Sequence, residues 1–343
     1  MKKLMNAAES IVDDMIDGYV SAFEQVARGH QDPRIVVRAK GRKDPDRKVT
    51  LLIGNGSGHE PIAMGFVGAG LLDANVVGDV FAAPSADLIL DGIREVSGKA
   101  GCILLISQHS GDMINGRAAV MLAEEERLRV RALPMYDDIS SAPRDRIQDR
   151  RGAPGTMFIY KILGAAAEAG MPLDDLMALG RAVRARTVTL AAALSPGISP
   201  LTGQPMFDLP DDEIYLGMGV HGEPGIGRTG VGPVRDLVTL IVDKLLGDYP
   251  IASGGQAAVI VNGMGGTTLM ELLTVWNETR HALAARGIAA VAPMIGSFVT
   301  TQEMGGFSIS LLEPAGDMLR LWTAPSDTPF FPSIRHAEKE KSQ

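Results

Sequence analysis

The sequence predicts an α/β fold with two domains, each with a mixed sheet flanked by helices, and an active site at the cleft between them. Its 343 residues exceed what a single hydrophobic core usually spans. Short apolar runs typical of strands alternate with helical segments in both halves, which is the pattern of βαβ units. An apolar fraction of 45% together with 40 glycines indicates a folded protein with many tight turns.

The first half begins with a predicted amphipathic helix over residues 5–27. Strands are then predicted at residues 49–53, 74–78, 101–107 and 129–134. Ser85 is a capping residue in front of a segment with helical apolar spacing, and another helix over residues 113–126 follows Asp112. This alternation of strands and helices is a βαβ pattern.

A break in periodicity follows between residues 137 and 155. Its mixed charge run over residues 144–151 predicts an exposed, solvated connection. Helices are predicted next over residues 156–169 and 173–193. The Pro/Gly-rich passage that starts at Ser195 then marks the predicted boundary. It separates an N-terminal domain, residues 1–194, from a C-terminal domain, residues 195–343.

The second half repeats the alternation of strands and helices. Strands are predicted near residues 213–220, 256–262, 288–292 and 307–312. Helices are predicted over residues 234–246, 267–285 and 315–321. No short-period repeat is present.

Charge and cysteine content limit the partners and the compartment. Lys and Arg number 33 against 41 Asp and Glu, and a net charge of −8 disfavours binding to nucleic acid. The single cysteine, Cys102, lies in an apolar run and is expected to be a buried strand residue without a disulfide. No segment resembles a signal peptide or a membrane span. We therefore expect a cytoplasmic protein with no membrane or nucleic-acid partner.

Two histidines stand in glycine-rich loops that follow apolar strands. His221 lies in residues 217–225, Gly-Met-Gly-Val-His-Gly-Glu-Pro-Gly, and His59 lies in residues 54–61, Gly-Asn-Gly-Ser-Gly-His-Glu-Pro. Ligands of α/β proteins bind at the loops beyond the carboxyl ends of strands. The two loops therefore predict one cleft in which His221 acts as a nucleophile.

Nucleotide and metal motifs are weak or absent in the sequence. Residues 92–99 have the wrong glycine spacing for a phosphate-binding loop and end a predicted helix when they should begin one. Residues 225–230 satisfy the dinucleotide pattern, and a nicotinamide-dependent oxidoreductase would rest on that pattern alone. The six histidines show no short-range pairing of ligand type, so no metal site is predicted.

Several segments resemble the substrate-binding K subunit of dihydroxyacetone kinase. The most specific are residues 54–61, 78–85 and 219–226. Weaker matches are residues 155–168, 262–266 and 295–308. The resemblance runs from about residue 10 to residue 335, which is most of the chain.

This resemblance implies a homodimeric α/β subunit that binds a short ketose covalently through His221. It also implies that this chain carries no cofactor of its own. ATP or ADP with magnesium is expected on a separate or fused nucleotide-binding L subunit. In the phosphotransferase-system version of the family, a further phosphoryl carrier recharges that subunit.

The chemistry of the residues agrees with this resemblance. A neutral imidazole that attacks a ketone gives a hemiaminal, whose oxygen needs a proton or a hydrogen bond, and His59 is the candidate donor. Asp112 matches the family's position for the base that accepts the proton of the phosphorylated hydroxyl. Gly56, Ser57 and Gly58 form a turn whose amides can approach a small polyol. Structural alternatives are a helix cap for His59, an N-cap for Asp112 and a simple turn for residues 56–58.

One departure from the family concerns the substrate. The usual Lys-Asn-Tyr-Thr-Gly-Asp segment appears as residues 107–112, Ser-Gln-His-Ser-Gly-Asp. Ser107, a predicted substrate-binding residue, replaces a long cation and leaves more room, and His109 replaces the tyrosine. A four-carbon ketose is therefore an expected alternative to dihydroxyacetone. Loss of the lysine also leaves open a sugar-sensing co-regulator of the same fold that phosphorylates nothing.

Overall fold

The computed structural model describes residues 2–332 and confirms the predicted α/β class. The α-helices are α1 (Ile11–Ala22), α2 (Ala86–Val96), α3 (Ser110–Glu125), α4 (Thr156–Glu168), α5 (Leu173–Ala185), α6 (Val234–Asp248), α7 (Leu269–Ala284) and α8 (Met318–Trp322). Short 3₁₀ helices span Met64–Phe66 and Arg144–Asp149. Ser85 caps α2 as predicted, since its hydroxyl accepts a hydrogen bond from the Leu88 amide at 3.2 Å.

The first sheet is six-stranded in the order β1-β2-β4-β3-β5-β6. Its strands are β1 (Val26–Arg28), β2 (Ile35–Arg38), β3 (Thr50–Ser57), β4 (Ala74–Val80), β5 (Cys102–Ser107) and β6 (Val130–Met135). Strand β3 is parallel to both neighbours, β4 and β5, while β1 and β2 pair antiparallel. The chain leaves β3 for β4 on one side and returns to β5 on the other. The order of strands therefore reverses between β3 and β5.

The second sheet is also six-stranded, in the order β11-β10-β12-β7-β8-β9. Its strands are β7 (Thr187–Ser195), β8 (Glu213–Leu216), β9 (Gly227–Gly230), β10 (Gln256–Gly263), β11 (Ala289–Gly296) and β12 (Gly305–Leu312). Strands β10 and β11 are parallel, and the other pairs are antiparallel. Both sheets are therefore mixed, as predicted.

A layer of helices lies between the two sheets and shares their core. Every residue of α4 from Thr156 to Ala167 is buried. This helix packs with Leu51 and Ile53 of the first sheet and with Ile260 of the second in one apolar cluster. Alternate residues of the strands face outward, where α2 and α3 cover the first sheet and α6 and α7 cover the second. The two halves are thus joined through a common apolar layer.

Three parts of the predicted element pattern are wrong. The opening helix is shorter than residues 5–27, and the short strands β1, β2 and β9 were not predicted. The helix predicted over residues 173–193 ends at Ala185, and β7 follows. The Ala/Leu-rich second half of that segment has helical propensity, but it pairs with β12 along its whole length. Tertiary pairing therefore overrides local preference here.

The predicted boundary needs correction, and the predicted solvated run, which is largely exposed, needs it at one residue. Residue 194 falls inside β7, which belongs to the second sheet, so the change of sheet comes before Thr187. Arg150, at the end of the charge run, is 0% exposed, and its guanidinium donates to Asp248 at 2.9 Å. Residues 333–343 of the predicted C-terminal domain lie outside the described residues.

Two expectations from the sequence concern Cys102 and membrane-spanning helices. Cys102 is buried in β5 as predicted, and burial raises the pKa of its thiol to about 12. Among residues 2–332, no helix combines the length and the apolar character needed to cross a bilayer.

Lys161 of α4 is a buried cation whose charge lowers stability. It is 1% exposed, and its Nζ donates to the Leu321 carbonyl at 3.2 Å. Burial lowers its pKa from the ordinary lysine value to about 8. The unfolded chain therefore holds the proton more tightly than the folded protein does. The destabilising contribution of Lys161 has its full size below pH 8, and it disappears as the pH rises towards the unfolded pKa of about 10.4.

We expect Lys161→Met to raise the free energy of unfolding by about 1–2 kcal/mol at pH 7, because removing the buried charge outweighs the unpaired Leu321 carbonyl. The gain should shrink as the pH approaches 10, and denaturant titrations at both pH values measure it. Lys48→Met is the matched control, because Lys48 is also buried but its Nζ lies 2.6 Å from Asp73. The control should be destabilising. A Lys161→Met protein less stable than the wild type at pH 7 would refute this account.

Candidate active site

The candidate site lies where the strand order of the first sheet reverses. His59 follows β3, Ser107 ends β5, and Asp112 lies in the first turn of α3. His221, in the loop after β8, comes from the second sheet. These four residues line one cavity of about 60 Å³. The structure thus brings the predicted catalytic residues and Ser107 together at a topological switch point between the sheets.

His59 is held as a neutral ring with a free nitrogen lone pair. Its Nδ1 donates to the Thr300 carbonyl at 2.7 Å, so the proton sits on Nδ1. Burial, followed by the field of His221, lowers its pKa to about 3. Its Nε2 is therefore an acceptor, and it lies 3.0 Å from Nε2 of His221. Nε2 of His59 can therefore accept a hydrogen bond from His221 or from a ligand.

Glu223 fixes the ring of His221 from the other side. Its Oε1 lies 3.1 Å from Nδ1 of His221, and its Oε2 accepts the backbone amide of His221 at 2.9 Å. Gly222 between them has φ +83°, a conformation that a side chain would strain and that turns the loop back on itself. A carboxylate at Nδ1 keeps a proton on that nitrogen, so Nε2 is left for chemistry at the cavity.

His109 brings a positive charge to the same carboxylate. Its Nδ1 lies 3.4 Å from Oε1 of Glu223, and its Nε2 donates to the Gly152 carbonyl at 3.3 Å. Burial opposes the charged ring, but the hydrogen bond with Glu223 and the field of Asp112 raise the pKa of His109 overall. For Glu223, burial is outweighed by the hydrogen bonds of His109 and His221, so its pKa is held well below its usual range. Glu223 and Asp112 thus favour the protonated form of His109 beside the cavity.

Asp112 is a buried carboxylate suited to accept a proton near neutral pH. Its residue exposure is 8%. Burial raises its pKa to about 7, although the positive field of His109 acts in the opposite direction. General bases work best when their pKa lies near the working pH.

The predicted substrate-binding turn lies behind the cavity. A Cβ on Gly56 would meet the backbone of Ala82 at 2.8 Å, and the Gly58 amide donates to Glu60 at 2.9 Å. Ser57 and Gly58 line a separate, more open cavity of about 550 Å³ next to α1. Residues 56–58 therefore position the loop that carries His59, while Ser107 of the same prediction does line the histidine cavity.

Sequence reasoning missed several residues of the site. Asn55 and Tyr160 line the cavity, and the Phe81 ring packs 5.1 Å from His59 and 5.7 Å from His221, measured between ring centres. Glu223 was not singled out although it stands two residues after His221. Tyr160 could have been noticed in the sequence, because it places a polar hydroxyl inside the otherwise largely apolar segment of α4.

One group of side chains could hold a cation. Ligand atoms of His109, His221 and Glu223 lie within 4.8 Å of one another. Sequence spacing does not indicate this group, because His109 comes from a different segment of the chain than His221 and Glu223. The same atoms already contact one another as hydrogen-bonding partners.

Fold and site define an α/β protein that presents a hydrogen-bonded pair of histidines to a small cavity between two sheets. Comparison with known proteins identifies the family. The Dak1 domain matches residues 17–330, so the chain belongs to the Dak1 family, and the resemblance found in the sequence is confirmed. It is 38% identical over 332 residues to the PTS-dependent dihydroxyacetone kinase 1, dihydroxyacetone-binding subunit DhaK, of Listeria innocua, covering 96% of this chain and 99% of that protein.

Other relatives carry different names. A D-erythrulose kinase of Mycolicibacterium smegmatis is 35% identical over 96% of this chain, which spans 56% of that longer protein. The dihydroxyacetone kinase of C. freundii, solved with AMP-PNP and Mg²⁺, aligns with a TM-score of 0.89 at 32% identity, covering 100% of this chain and 63% of that one. The dihydroxyacetone kinase operon co-activator Dha-DhaQ aligns with a TM-score of 0.86 at 29% identity, covering 92% of this chain and 97% of that one.

Proposed function

We propose that this chain is the substrate-binding subunit of a short-chain ketose kinase. It holds the ketose as a hemiaminal on Nε2 of His221 and presents a hydroxyl group to a phosphoryl donor on a partner subunit. The observation that carries the proposal is the 3.0 Å contact between Nε2 of His221 and Nε2 of His59, with Glu223 on the opposite nitrogen of His221. This arrangement supplies both a nucleophile and a proton relay.

The addition step uses these contacts in order. In the starting state Nδ1–H of His221 faces Glu223 and Nε2–H of His221 donates to Nε2 of His59. As the ketone arrives, the Nε2 proton passes to His59, which leaves a lone pair on Nε2 of His221. The lone pair forms a bond to the ketone carbon, the carbonyl π electrons move to oxygen, and His59 returns the proton to that oxygen. Glu223 stabilises the ring through Nδ1–H during the addition. No group is lost, so the product carries all the atoms of the ketose.

The transfer step takes place on the open side of the cavity. A wider opening of about 570 Å³ shares His109, Asp112 and His221 with the histidine cavity. Asp112 accepts the proton of the ketose hydroxyl as its oxygen attacks phosphorus. Arg151 lines the same opening and is held by Asp138 at 2.7 Å, so a fixed cation faces the arriving phosphates.

The phosphoryl donor is assigned to a partner. The matched C. freundii kinase was solved with AMP-PNP and Mg²⁺, and it is longer than this chain. We therefore place ATP or ADP with magnesium on a nucleotide-binding L subunit. A phosphotransferase-system carrier recharges that subunit if the donor is phosphoenolpyruvate, as the name of the Listeria relative supports. We also propose a homodimer that works in the cytoplasm, where these partners and a reduced Cys102 are found together.

The substrate is a ketose of three or four carbons. A cavity of about 60 Å³ holds roughly four to six water-sized spheres, which suits a chain of that length. Dihydroxyacetone and erythrulose are the substrates in the names of the two relatives. Ser107 in place of a lysine gives the four-carbon sugar more room. A second candidate function is a sugar sensor, which the alignment with the Dha-DhaQ co-activator favours.

The proposal is tested by combining the chain with its cognate L subunit and a donor. We expect dihydroxyacetone and erythrulose to be phosphorylated. Glycerol should not react, because it has no carbonyl to form the adduct. Each subunit alone is the control and should be inactive. Adduct formation without phosphorylation would support the sensor, whereas phosphorylation of glycerol at the ketose rate would refute the covalent account.

A further inference from the structure

Tyr160 carries a buried hydroxyl group without a partner at the histidine cavity. Its residue exposure is 0%, and no hydrogen-bonding partner for its oxygen is present among the described residues. A few other buried polar atoms in residues 2–332 also lack partners: those of Thr50, Ser57, Ser97, Glu303 and Ser308. None of those residues lines the histidine cavity, and Tyr160 does. A buried hydroxyl without a partner costs stability, so its retention at a cavity points to a ligand.

The surroundings of Tyr160 indicate what kind of ligand group it would bind. The hydroxyls of Thr156 and Ser107 line the same cavity, but neither forms a hydrogen bond with the Tyr160 oxygen. Burial raises the pKa of Tyr160 above its usual range, so its oxygen keeps the proton. A neutral phenol donates one hydrogen bond and accepts others, which matches an alcohol better than a carboxylate or an ammonium group. The apolar side chains of Ile53 and Val299 also line this cavity.

The position of Tyr160 indicates which of the two arms of the ketose lies near its hydroxyl. Asp112 and His221 line both the histidine cavity and the wide opening, so the arm that is phosphorylated points towards that opening. Tyr160, Thr156 and Asn55 line the cavity but not the opening. The arm that is not phosphorylated therefore extends towards Tyr160.

We infer that the Tyr160 hydroxyl, with Ser107 and Thr156 beside it, is a specificity subsite for a hydroxyl group on the unphosphorylated arm of the ketose. This inference rests on the proposed function. It makes Tyr160 a specificity-determining residue and explains how a site with a serine at position 107 can still recognise a polar sugar arm. A substrate with a methyl group in that arm leaves the phenol unpaired.

The test compares dihydroxyacetone with hydroxyacetone in the wild type and in Tyr160→Phe, using the chain with its L subunit. Phosphorylation of hydroxyacetone uses its single hydroxyl, so its methyl group must face Tyr160. We expect Tyr160→Phe to lower kcat/KM for dihydroxyacetone about tenfold and to change that for hydroxyacetone less than about threefold. The ratio of kcat/KM for dihydroxyacetone to that for hydroxyacetone should therefore fall about three- to tenfold in the variant.

Tyr19→Phe is the matched control. Tyr19 is also buried, but its hydroxyl donates to the Met64 carbonyl at 2.8 Å. Tyr19 does not line the histidine cavity. We expect this variant to leave the ratio of the two substrates unchanged. Equal losses for both substrates in Tyr160→Phe, or no loss for either, would overturn the subsite while the kinase assignment stands. A wild type that forms no ketose adduct would overturn the proposed function and the subsite together.

Discussion

Replacing His221 with alanine is expected to abolish the covalent sugar adduct and to lower kcat/KM for ketose phosphorylation by a factor on the order of 10³ or more. The variant keeps the cavity but loses the nitrogen that holds the substrate. Covalent attachment fixes the ketose in front of the donor, and that positioning is lost with the ring. Intact-protein mass spectrometry after rapid desalting measures the adduct, whose mass is that of the whole ketose without loss of water.

A histidine outside the site provides the control for this variant. His281 is exposed on α7 and lines none of the cavities that surround His221. We expect His281→Ala to form the adduct and to phosphorylate at the wild-type rate. Adduct of unchanged mass and yield in His221→Ala would exclude this residue as the nucleophile.

Replacing Asp112 with asparagine is expected to separate the two chemical steps. The side chain keeps its size but no longer accepts a proton, so the adduct should form while phosphorylation falls by a factor on the order of 10²–10⁴. Because burial raises the pKa of Asp112 to about 7, the wild-type rate should rise as the pH increases through about 7 and then level off. Steady-state rates across pH 5.5–9 should show this rise in the wild type and not in the variant.

Asp87 supplies a matched control for this second experiment. It also lies in the first turn of a helix that follows a strand of the first sheet, but it is exposed. Asp87→Asn should keep both the adduct and the rate. If Asp112→Asn phosphorylates dihydroxyacetone normally, another group is the base. If it forms no adduct, Asp112 acts in binding.

Sequence motifs predicted several of the residues that the structure brings together at the histidine cavity. His59 and His221 were predicted from loops that follow strands, and the structure places their Nε2 atoms 3.0 Å apart. Asp112 came from the family resemblance, and it lies at the same cavity. These predictions depended on short motifs whose residues are contiguous in the sequence.

Other parts depended on contacts between distant segments. The ring of His59 is oriented by the Thr300 carbonyl, which is remote in sequence. No local sequence pattern predicts that contact. Strand β7 lies in an Ala/Leu-rich segment whose local preference is helical, and its pairing with β12 decides the outcome. The packing of residues 56–58 could not be predicted for a similar reason, because Ala82, which fills the space beside Gly56, is remote in sequence.

The most direct test of the account is an NMR measurement of the bond between His221 and the ketose. Dihydroxyacetone labelled with ¹³C at its carbonyl carbon is added to protein labelled with ¹⁵N in histidine. We expect the bound carbon to change from a ketone resonance to that of a saturated carbon and to show one-bond coupling to a histidine nitrogen, lost in His221→Ala. A bound carbon that keeps its ketone resonance, or that lacks the coupling, would contradict the covalent mechanism.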